Sequence, residues 1–507
     1  MIESLFFMLT KIKKIIILGG GTSGWLTAAY LNNNLRLKPE IMLIEDLAKG
    51  PIGVGEGTQP YSAGFLYRCG LRPNDWIPSS EAVFKYGVEL TGWNDTPYFV
   101  DNDRQENSII ADEFYTNDYF ISKDKKEFFD WLPAYQLAKK NVSPKFKGLD
   151  QNFAIGEENY GAFHFNAAKI IDTLKTVCNG VIHVDTAITR IDKNENGITA
   201  LYDDKNKYEA DLYIDCTGFS SVLLEKELGE EFISYQDFLP CDSAVAMPTQ
   251  YTDPNAECHP YTKATAMNAG WRWTIPVYTR IGNGYVYSSK YINHEQAEQE
   301  LRDTLKEYNA PANHLKMKCG KHENVARNNV VAVGLSAGFI EPLEATGITF
   351  TTTVVENLAH VLNLEGNVLN NRAKEIINSQ FNIMIDEIFA FVWAHYYFSN
   401  KEDTNFWKDI RKGSIYDLPQ NIRQIINQYY PTPSKRFRLT PFSMFSTPQW
   451  FSVIHAAGSY KKQDISQELE LYSKIFIENQ NHRVNLIKTT FPNHYDYIKE
   501  INDANSV

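Results

Sequence analysis

Two carboxylates flank a proline and a leucine in Glu341-Pro342-Leu343-Glu344, and a carboxylate held in a dry site can accept or return a proton during a reaction. The residues around them make that chemistry plausible. Asn329-Val330-Val331-Ala332-Val333 reads as a buried strand, and Gly334, Ala337 and Gly338 after it let a backbone come close to a ligand. Ala345-Thr346-Gly347-Ile348 then opens a helical pattern running to about Leu362. The N–H groups at such a helix start are free to hold an anion. Residues 333–348 therefore combine a strand, a close-approach loop, carboxylates and an anion nest, which predicts an enzyme rather than a scaffold.

A second chemistry-bearing stretch lies near the start of the chain. Lys13–Leu18 is a β-type run, Gly19-Gly20-Gly21-Thr22-Ser23-Gly24 follows it, and Trp25–Leu31 has helical spacing. Gly19, Gly21 and Gly24 meet the G-x-G-x-x-G spacing between a strand and a helix, the context in which it binds a dinucleotide pyrophosphate. Ile41–Ile44 is a second strand closed by Glu45, about 20 residues beyond the last glycine, where an acid bonds ribose hydroxyls. Ile52-Gly53-Val54-Gly55-Glu56-Gly57-Thr58-Gln59-Pro60 suits a loop passing a cofactor, and Asp215-Cys216-Thr217-Gly218-Phe219 is another strand-then-glycine turn.

Composition limits what these elements serve. The chain has 507 residues, of which 43% are hydrophobic and 13% aromatic, enough for a large core and two interlocked domains. The formal net charge of −12 without a basic block argues against nucleic acid or an anionic membrane as partner. Cys69, Cys178, Cys216, Cys241, Cys258 and Cys319 are scattered, so they are read as reduced core thiols of a cytoplasmic protein rather than a disulfide frame or metal site. Leu5–Leu9 is too short for a signal h-region, and no run reaches the roughly 18 apolar residues of a membrane helix.

Further candidates come from single positions. A helical stretch is expected from Ser80 through Phe84-Lys85-Tyr86-Gly87-Val88, with Lys85 between aromatic residues. His164, in Phe163-His164-Phe165 before an amphipathic helix at Ala167–Cys178, is read as a structural hydrogen-bonding residue. Gly180–Asp185, Ile198–Tyr202 and Asp211–Ile214 read as strands. Trp271, Trp273 and Ile275 alternate along one strand in Gly270-Trp271-Arg272-Trp273-Thr274-Ile275-Pro276. The chain after residue 348 is mostly helical, with Ala373–Tyr397, Ile422–Tyr430 and Asp464–Lys488 as helices and a proline-punctuated lid at 431–450.

Taken together, these motifs resemble the flavin-dependent halogenases of the tryptophan-halogenase family, from about Lys13 to the 450s. The resemblance rests on the glycine fingerprint with Trp25, Gly53-Val54-Gly55-Glu56-Gly57-Thr58, Phe84-Lys85, Phe163-His164-Phe165, Asp215–Phe219, Trp271-x-Trp273-x-Ile275-Pro276 and Glu341–Gly347. It implies an α/β (α+β) fold, with a Rossmann-like FAD-binding core of the flavin-monooxygenase type, an inserted substrate domain and a helical C-terminal region. The FAD domain is expected to comprise 13–95, 155–225 and 325–365, and the substrate domain 96–154, 226–324 and 366–507. It implies that FAD is reduced by a separate flavin reductase, that O₂ and a halide (chloride, bromide or iodide) yield hypohalous acid, and that Lys85 and Glu344 are catalytic. The halide would rest on Thr346 and Gly347. Gly20, Ser23 and Glu45 match FAD contacts at the adenosine and phosphate end, Leu335 with Gly334 matches one nearer the ring, and Ala187 is assigned as a further contact from the alignment of its strand. Gly19, Gly21, Thr22, Gly24 and Gly55 complete the cofactor set. A homodimer is the expected assembly.

One departure bears on substrate. Family members acting on free tryptophan carry a tyrosine pair followed by a glutamate, whereas Tyr429-Tyr430 here leads into Pro431-Thr432-Pro433-Ser434-Lys435-Arg436. The expected substrate is therefore an indole or other electron-rich arene without a zwitterionic tail, free tryptophan staying open, with Trp450 as candidate stacking wall. A single-component FAD hydroxylase or epoxidase is the alternative enzyme. A non-catalytic flavoprotein is the alternative outside catalysis. Leu335, where hydroxylases generally carry an aspartate, speaks against the hydroxylase.

Overall fold

A computed structural model describes residues 11–50, 55–102, 132–143, 162–305, 309–430, 444–459 and 491–504, with residues 129 and 467. The chain enters through β1 (Lys14–Leu18), turns into α1 (Thr22–Asn34) and returns in β2 (Glu40–Glu45). β3 (Gly55–Gly57), β4 (Val83–Lys85), β5 (Gly87–Thr91), β6 (Tyr98–Asp101) and β7 (Ala162–Asn166) follow, then β8 (Val181–Asp185) and β9 (Leu212–Asp215). The middle of the chain supplies β10 (Ser243–Thr249), β11 (Thr262–Met267), β12 (Gly270–Val277), β13 (Arg280–Tyr287) and β14 (Asn313–Lys316). β15 (Ala326–Arg327) and β16 (Val330–Ala332) return to the first domain before α2 (Gly347–Leu364) and α3 (Asn371–Tyr397).

These strands make two large sheets. One has the order β15-β16-β9-β1-β2-β8, parallel except for β15. Its central strands are nearly continuous apolar runs because helices cover both faces of a parallel sheet. The four residues Ile15 to Leu18 of β1 are all buried. The other sheet, β14-β10-β13-β12-β11-β5-β6, is antiparallel except where β11 meets β5. A small sheet, β3-β7-β4, lies close to the second, with β3 and β7 both packed near β12. Among the described residues no helix is long and apolar enough to cross a membrane.

The expected strands around Gly19, Glu45, Asp215 and Val331 are present, and the helices expected over Trp25–Leu31, from Ala345 to about Leu362 and over Ala373–Tyr397 are found at Thr22–Asn34, Gly347–Leu364 and Asn371–Tyr397. The stretch from Ser80 is not helical. Val83–Lys85 and Gly87–Thr91 are strands, with Phe84 opposite Phe163 and Lys85 opposite Ala162. Valine and aromatic side chains favour this pleated setting, and the ladder to β7 overrides the apparent helical spacing. Alternation along β4 then matters for function, because Phe84 and Lys85 leave the strand on opposite faces. The helix expected over Asp464–Lys488 (residue 467 apart), residues 431–443 of the expected lid, Ile52–Val54 and residues 103–110 lie outside the described residues.

Candidate active site

The nucleotide end is built from main chain. Gly19 has φ +113°, and a Cβ there would stand 2.3 Å from the carbonyl oxygen of Cys216, so only glycine fits between β1 and β9. A Cβ on Gly24 would meet Gly19 O at 1.9 Å, which lets α1 begin hard against the turn. Gly21 faces open space and caps α1 without a side-chain bond to its first N–H groups. Those donors and the positive end of α1 remain for a phosphate. Glu45 ends β2 beside Gly20, where an added Cβ would lie 1.8 Å from Glu45 Oε2, and His183 Nε2 is 2.8 Å from Glu45 Oε1. Thr186 donates its N–H to Glu45 O at 2.8 Å, which brings the exposed Ala187 to the same edge. Gly334 and Leu335 reach this turn from β16, because Ser23 Oγ lies against Gly334 and pairs with Thr351 Oγ1 of α2 at 2.8 Å. Thr22 lies in the first turn of α1 and Gly55 in β3, opposite Asn166. A glycine cradle, uncapped helix start and terminal acid fit the pyrophosphate and ribose of FAD.

Lys85 and Glu344 meet across the short segment 57–59. Lys85 ends β4 with 2% exposure, and its Nζ donates to Thr58 O at 3.1 Å. Thr58 is itself held by β7, its N–H donating to Phe163 O at 2.9 Å and its Oγ1 accepting from Phe163 N at 2.8 Å. Gln59 Nε2 donates to the main-chain oxygen of Glu344. Between these two ties, a Cβ on Gly57 would stand 2.9 Å from Ala345 Cβ and 3.8 Å from Lys85 Cδ. The absent side chain lets the lysine sheet and the glutamate loop touch. Burial lowers the Lys85 ammonium to about 8, and Glu344 works in the opposite direction by favouring the charged form.

Glu344 is wholly buried, and among the described residues neither carboxylate oxygen has a hydrogen bond. His395 Nε2 stands 3.1 Å from Glu344 Oε1, off the line of a hydrogen bond. Glu341, three positions earlier, is placed differently. Its Oε2 accepts from Trp271 Nε1 at 2.9 Å and from Tyr396 Oη–H at 2.7 Å, while burial raises its carboxyl to about 7. Ala345, after Glu344, adopts φ +56° and ψ +45°, a left-handed conformation costing a non-glycine residue roughly 1–2 kcal/mol. This turn separates the Glu344 side chain from the start of α2. There Thr346 Oγ1 is buried without a partner among the described residues, Thr346 gives no side-chain cap, and Gly347 faces open space. α3, by contrast, is capped in the ordinary way, Ala373 N donating to Asn370 Oδ1.

The other expected residues take supporting positions. Trp271 links β12 to the Glu341 loop, and Trp273 lies over Gly284 of β13, where a Cβ would be 1.9 Å from its ring. Ile275 and Pro276 continue β12 opposite Gly282 and Ile281. His164 Nε2 lies 2.8 Å from Thr262 Oγ1, and burial first, then Lys85, hold its imidazole well below the ordinary range, so it is neutral. Trp450 is fully buried, stacked on Tyr429 at 4.5 Å and edge-on to Phe391 at 4.9 Å. Phe391 in turn meets His395 at 5.0 Å, which connects Trp450 to the Glu344 chamber through aromatic contacts. Sequence reasoning missed His395, Gln59 and Tyr98. The available signal for His395 was a lone imidazole within the apolar run Ile388–Tyr396.

Against known proteins, the tryptophan halogenase family matches residues 14–469. The chain belongs to the tryptophan halogenase family. It is 32% identical to the 7-chloro-L-tryptophan 6-halogenase KtzR of Kutzneria sp. (strain 744), over 96% of this chain and 98% of that protein. It is 34% identical to the tryptophan 6-halogenase SttH of Streptomyces toxytricini, over 80% of this chain and 82% of that one. Its fold superposes with a TM-score of 0.85 on Tar14, a tryptophan C-6 flavin-dependent halogenase (chlorinase) from taromycin biosynthesis, at 29% identity over 96% of this chain and 99% of the other. This tryptophan-halogenase relative is accordingly a flavin-dependent halogenase, an oxidoreductase that uses FAD and a halide on an aromatic substrate.

Proposed function

We propose that this halogenase acts on an indole-type arene, with Lys85 and Glu344 as catalytic residues. The observation that carries the reading is the meeting, across Gly57, of a buried ammonium and a buried carboxylate without a hydrogen bond among the described residues. Bound FAD, reduced by a separate flavin reductase, supplies the activation of O₂ that turns halide into hypohalous acid. Gly19, Gly20, Gly21, Thr22, Ser23, Gly24, Glu45, Gly55, Ala187, Gly334 and Leu335 would hold it, and the N–H groups of Thr346 and Gly347 would hold the halide. Lys85, tethered to Thr58 O, donates a hydrogen bond to hypohalous acid and makes its halogen more electrophilic. The arene carbon takes the halogen, the departing hydroxide takes a proton from the Lys85 ammonium and leaves as water, and Glu344 accepts the ring proton as aromaticity returns and passes it back to Lys85.

The flavin domain in this reading spans 13–95, 155–225 and 325–365 and the substrate domain 96–154, 226–324 and 366–507, with β5 of the flavin domain crossing into the seven-stranded sheet. The protein works as a homodimer in the cytoplasm. Trp450 closes the arene side of the chamber through Phe391. A substrate without a zwitterionic tail is supported by the missing glutamate after Tyr429-Tyr430 and by the stacking of Tyr429 on Trp450. Purified protein with FAD, reductase, NADH and a chloride/bromide mixture should give halogen isotope doublets on indole, and less product on free tryptophan. An added oxygen without halogen would assign the protein to the hydroxylases instead.

A further inference from the structure

α3 places two consecutive side chains, His395 and Tyr396, against the two glutamates of the 341–344 loop. Tyr396 donates to Glu341 Oε2, which Trp271 also holds, so that end of the loop is fixed by two hydrogen bonds. At the other end, His395 Nε2 stands 3.1 Å from Glu344 Oε1, and the charge of Glu344 is also felt by Lys85 and Tyr98. His395 is 1% exposed and is itself oriented on its far side, its Nδ1 lying 3.0 Å from the Tyr98 hydroxyl of β6. Burial, and then the charge of Glu344, push the Tyr98 phenol well up, so it remains a neutral hydroxyl. A hydroxyl donating to Nδ1 leaves the imidazole proton on Nε2, facing Glu344. The ring is boxed by Phe391 at 5.0 Å and Trp93 at 6.3 Å, both edge-on, which blocks its rotation out of this setting.

We propose that Tyr98 and His395 form a positioning relay for halogenation, Tyr98 fixing the His395 tautomer and His395 Nε2–H keeping the Glu344 carboxylate aimed at the arene. This rests on the catalytic reading of Glu344 given above. His395 Nε2, 3.1 Å from Glu344 Oε1 and off the line of a hydrogen bond in this structure, would close on that oxygen alone and leave the second for the ring proton. The lysine end of the chamber, tied to Thr58 O, is untouched by the relay. Formation of hypohalous acid is therefore expected to be independent of His395, and its use on the arene to depend on it.

The test compares His395→Phe, His395→Gln and Tyr98→Phe in the full chain with FAD and reductase. Hypohalous acid is trapped by monochlorodimedone without arene, and haloindole is measured separately. His395→Phe should leave trapping within about twofold and lower kcat on indole about tenfold or more, with KM changed by less than about threefold. His395→Gln, which keeps an N–H donor, should recover part of the loss, and Tyr98→Phe should lose about threefold. On a Glu344→Gln background, His395→Phe should add no further loss, as residues acting as one unit do. A readout free of turnover is the infrared carboxylate band assigned by Glu344→Gln difference spectra. In His395→Phe this band should shift in frequency as the carboxylate loses its imidazole neighbour. A band and kcat indifferent to His395, or losses that multiply in the double variant, would overturn the relay. A band that follows His395 in a protein that halogenates no arene would uphold the relay and remove the catalytic reading instead.

Discussion

The nucleotide end and the Lys85–Glu344 chamber solve the placement of polar groups in opposite ways. Around Gly19–Gly24 the useful groups are main-chain donors exposed by missing side chains, and Glu45 is the one carboxylate brought to them. Around Glu344 the useful groups are side chains from β4, the 57–59 segment, β6 and α3, each buried and each held by a partner on another element. The first arrangement is local and tolerates any sequence that keeps its small residues. The second is assembled over most of the chain, so a single altered contact disturbs chemistry without disturbing cofactor binding.

The largest expected effect follows from removing the ammonium. Lys85→Ala should lower haloarene formation about 10³-fold or more, while FAD titration and hypohalous acid release stay near wild type. A variant that halogenates normally would break the assignment of chemistry to the chamber. Glu344→Gln should cost about 10²-fold, also with FAD retained, which isotope-resolved product quantification would check. The complementary lesion is Gly20→Ala, whose Cβ would crowd Glu45 Oε2. It should weaken FAD binding about tenfold, some 1.4 kcal/mol, by fluorescence titration, with normal product formed per enzyme at saturating FAD. If Gly20→Ala instead spoiled turnover at saturation, the two ends would not be separable.

How much of this was legible in the sequence follows the same division. The glycine turn could be read because its strand, turn, helix and acid are contiguous and obey fixed spacing. The importance of Lys85 came through resemblance alone, since nothing local distinguishes a buried lysine from a surface one, and the helical reading from Ser80 concealed the alternation that sends it inwards. His395, Tyr98 and Gln59 reach Glu344 only after distant strands and α3 have packed, so no window of sequence contains the contact. The left-handed Ala345 was equally hidden, because its conformation is imposed by the turn rather than announced by a glycine.

A finer comparison lies within the loop itself, between the Glu344 carboxylate, which has no hydrogen bond among the described residues, and the Glu341 carboxylate, which accepts from Trp271 and Tyr396. Burial is the larger influence on Glu341 and raises its carboxyl to about 7, against the pull of Trp271 and Tyr396. A raised acid binds its proton more tightly in the native than in the unfolded chain. Its contribution is fully present below the ordinary carboxyl value, and it is lost as pH rises through about 7. Glutamine stays neutral throughout, so Glu341→Gln should escape that loss. Relative to wild type the variant should therefore gain stability between pH 5 and pH 8, by at most about 3 kcal/mol for a displacement of this size. Urea melts at the two pH values measure the gap. A gap that did not widen with pH would place Glu341 among ordinary ionised carboxylates. In that case Trp271 and Tyr396 would be holding a carboxylate rather than a carboxylic acid.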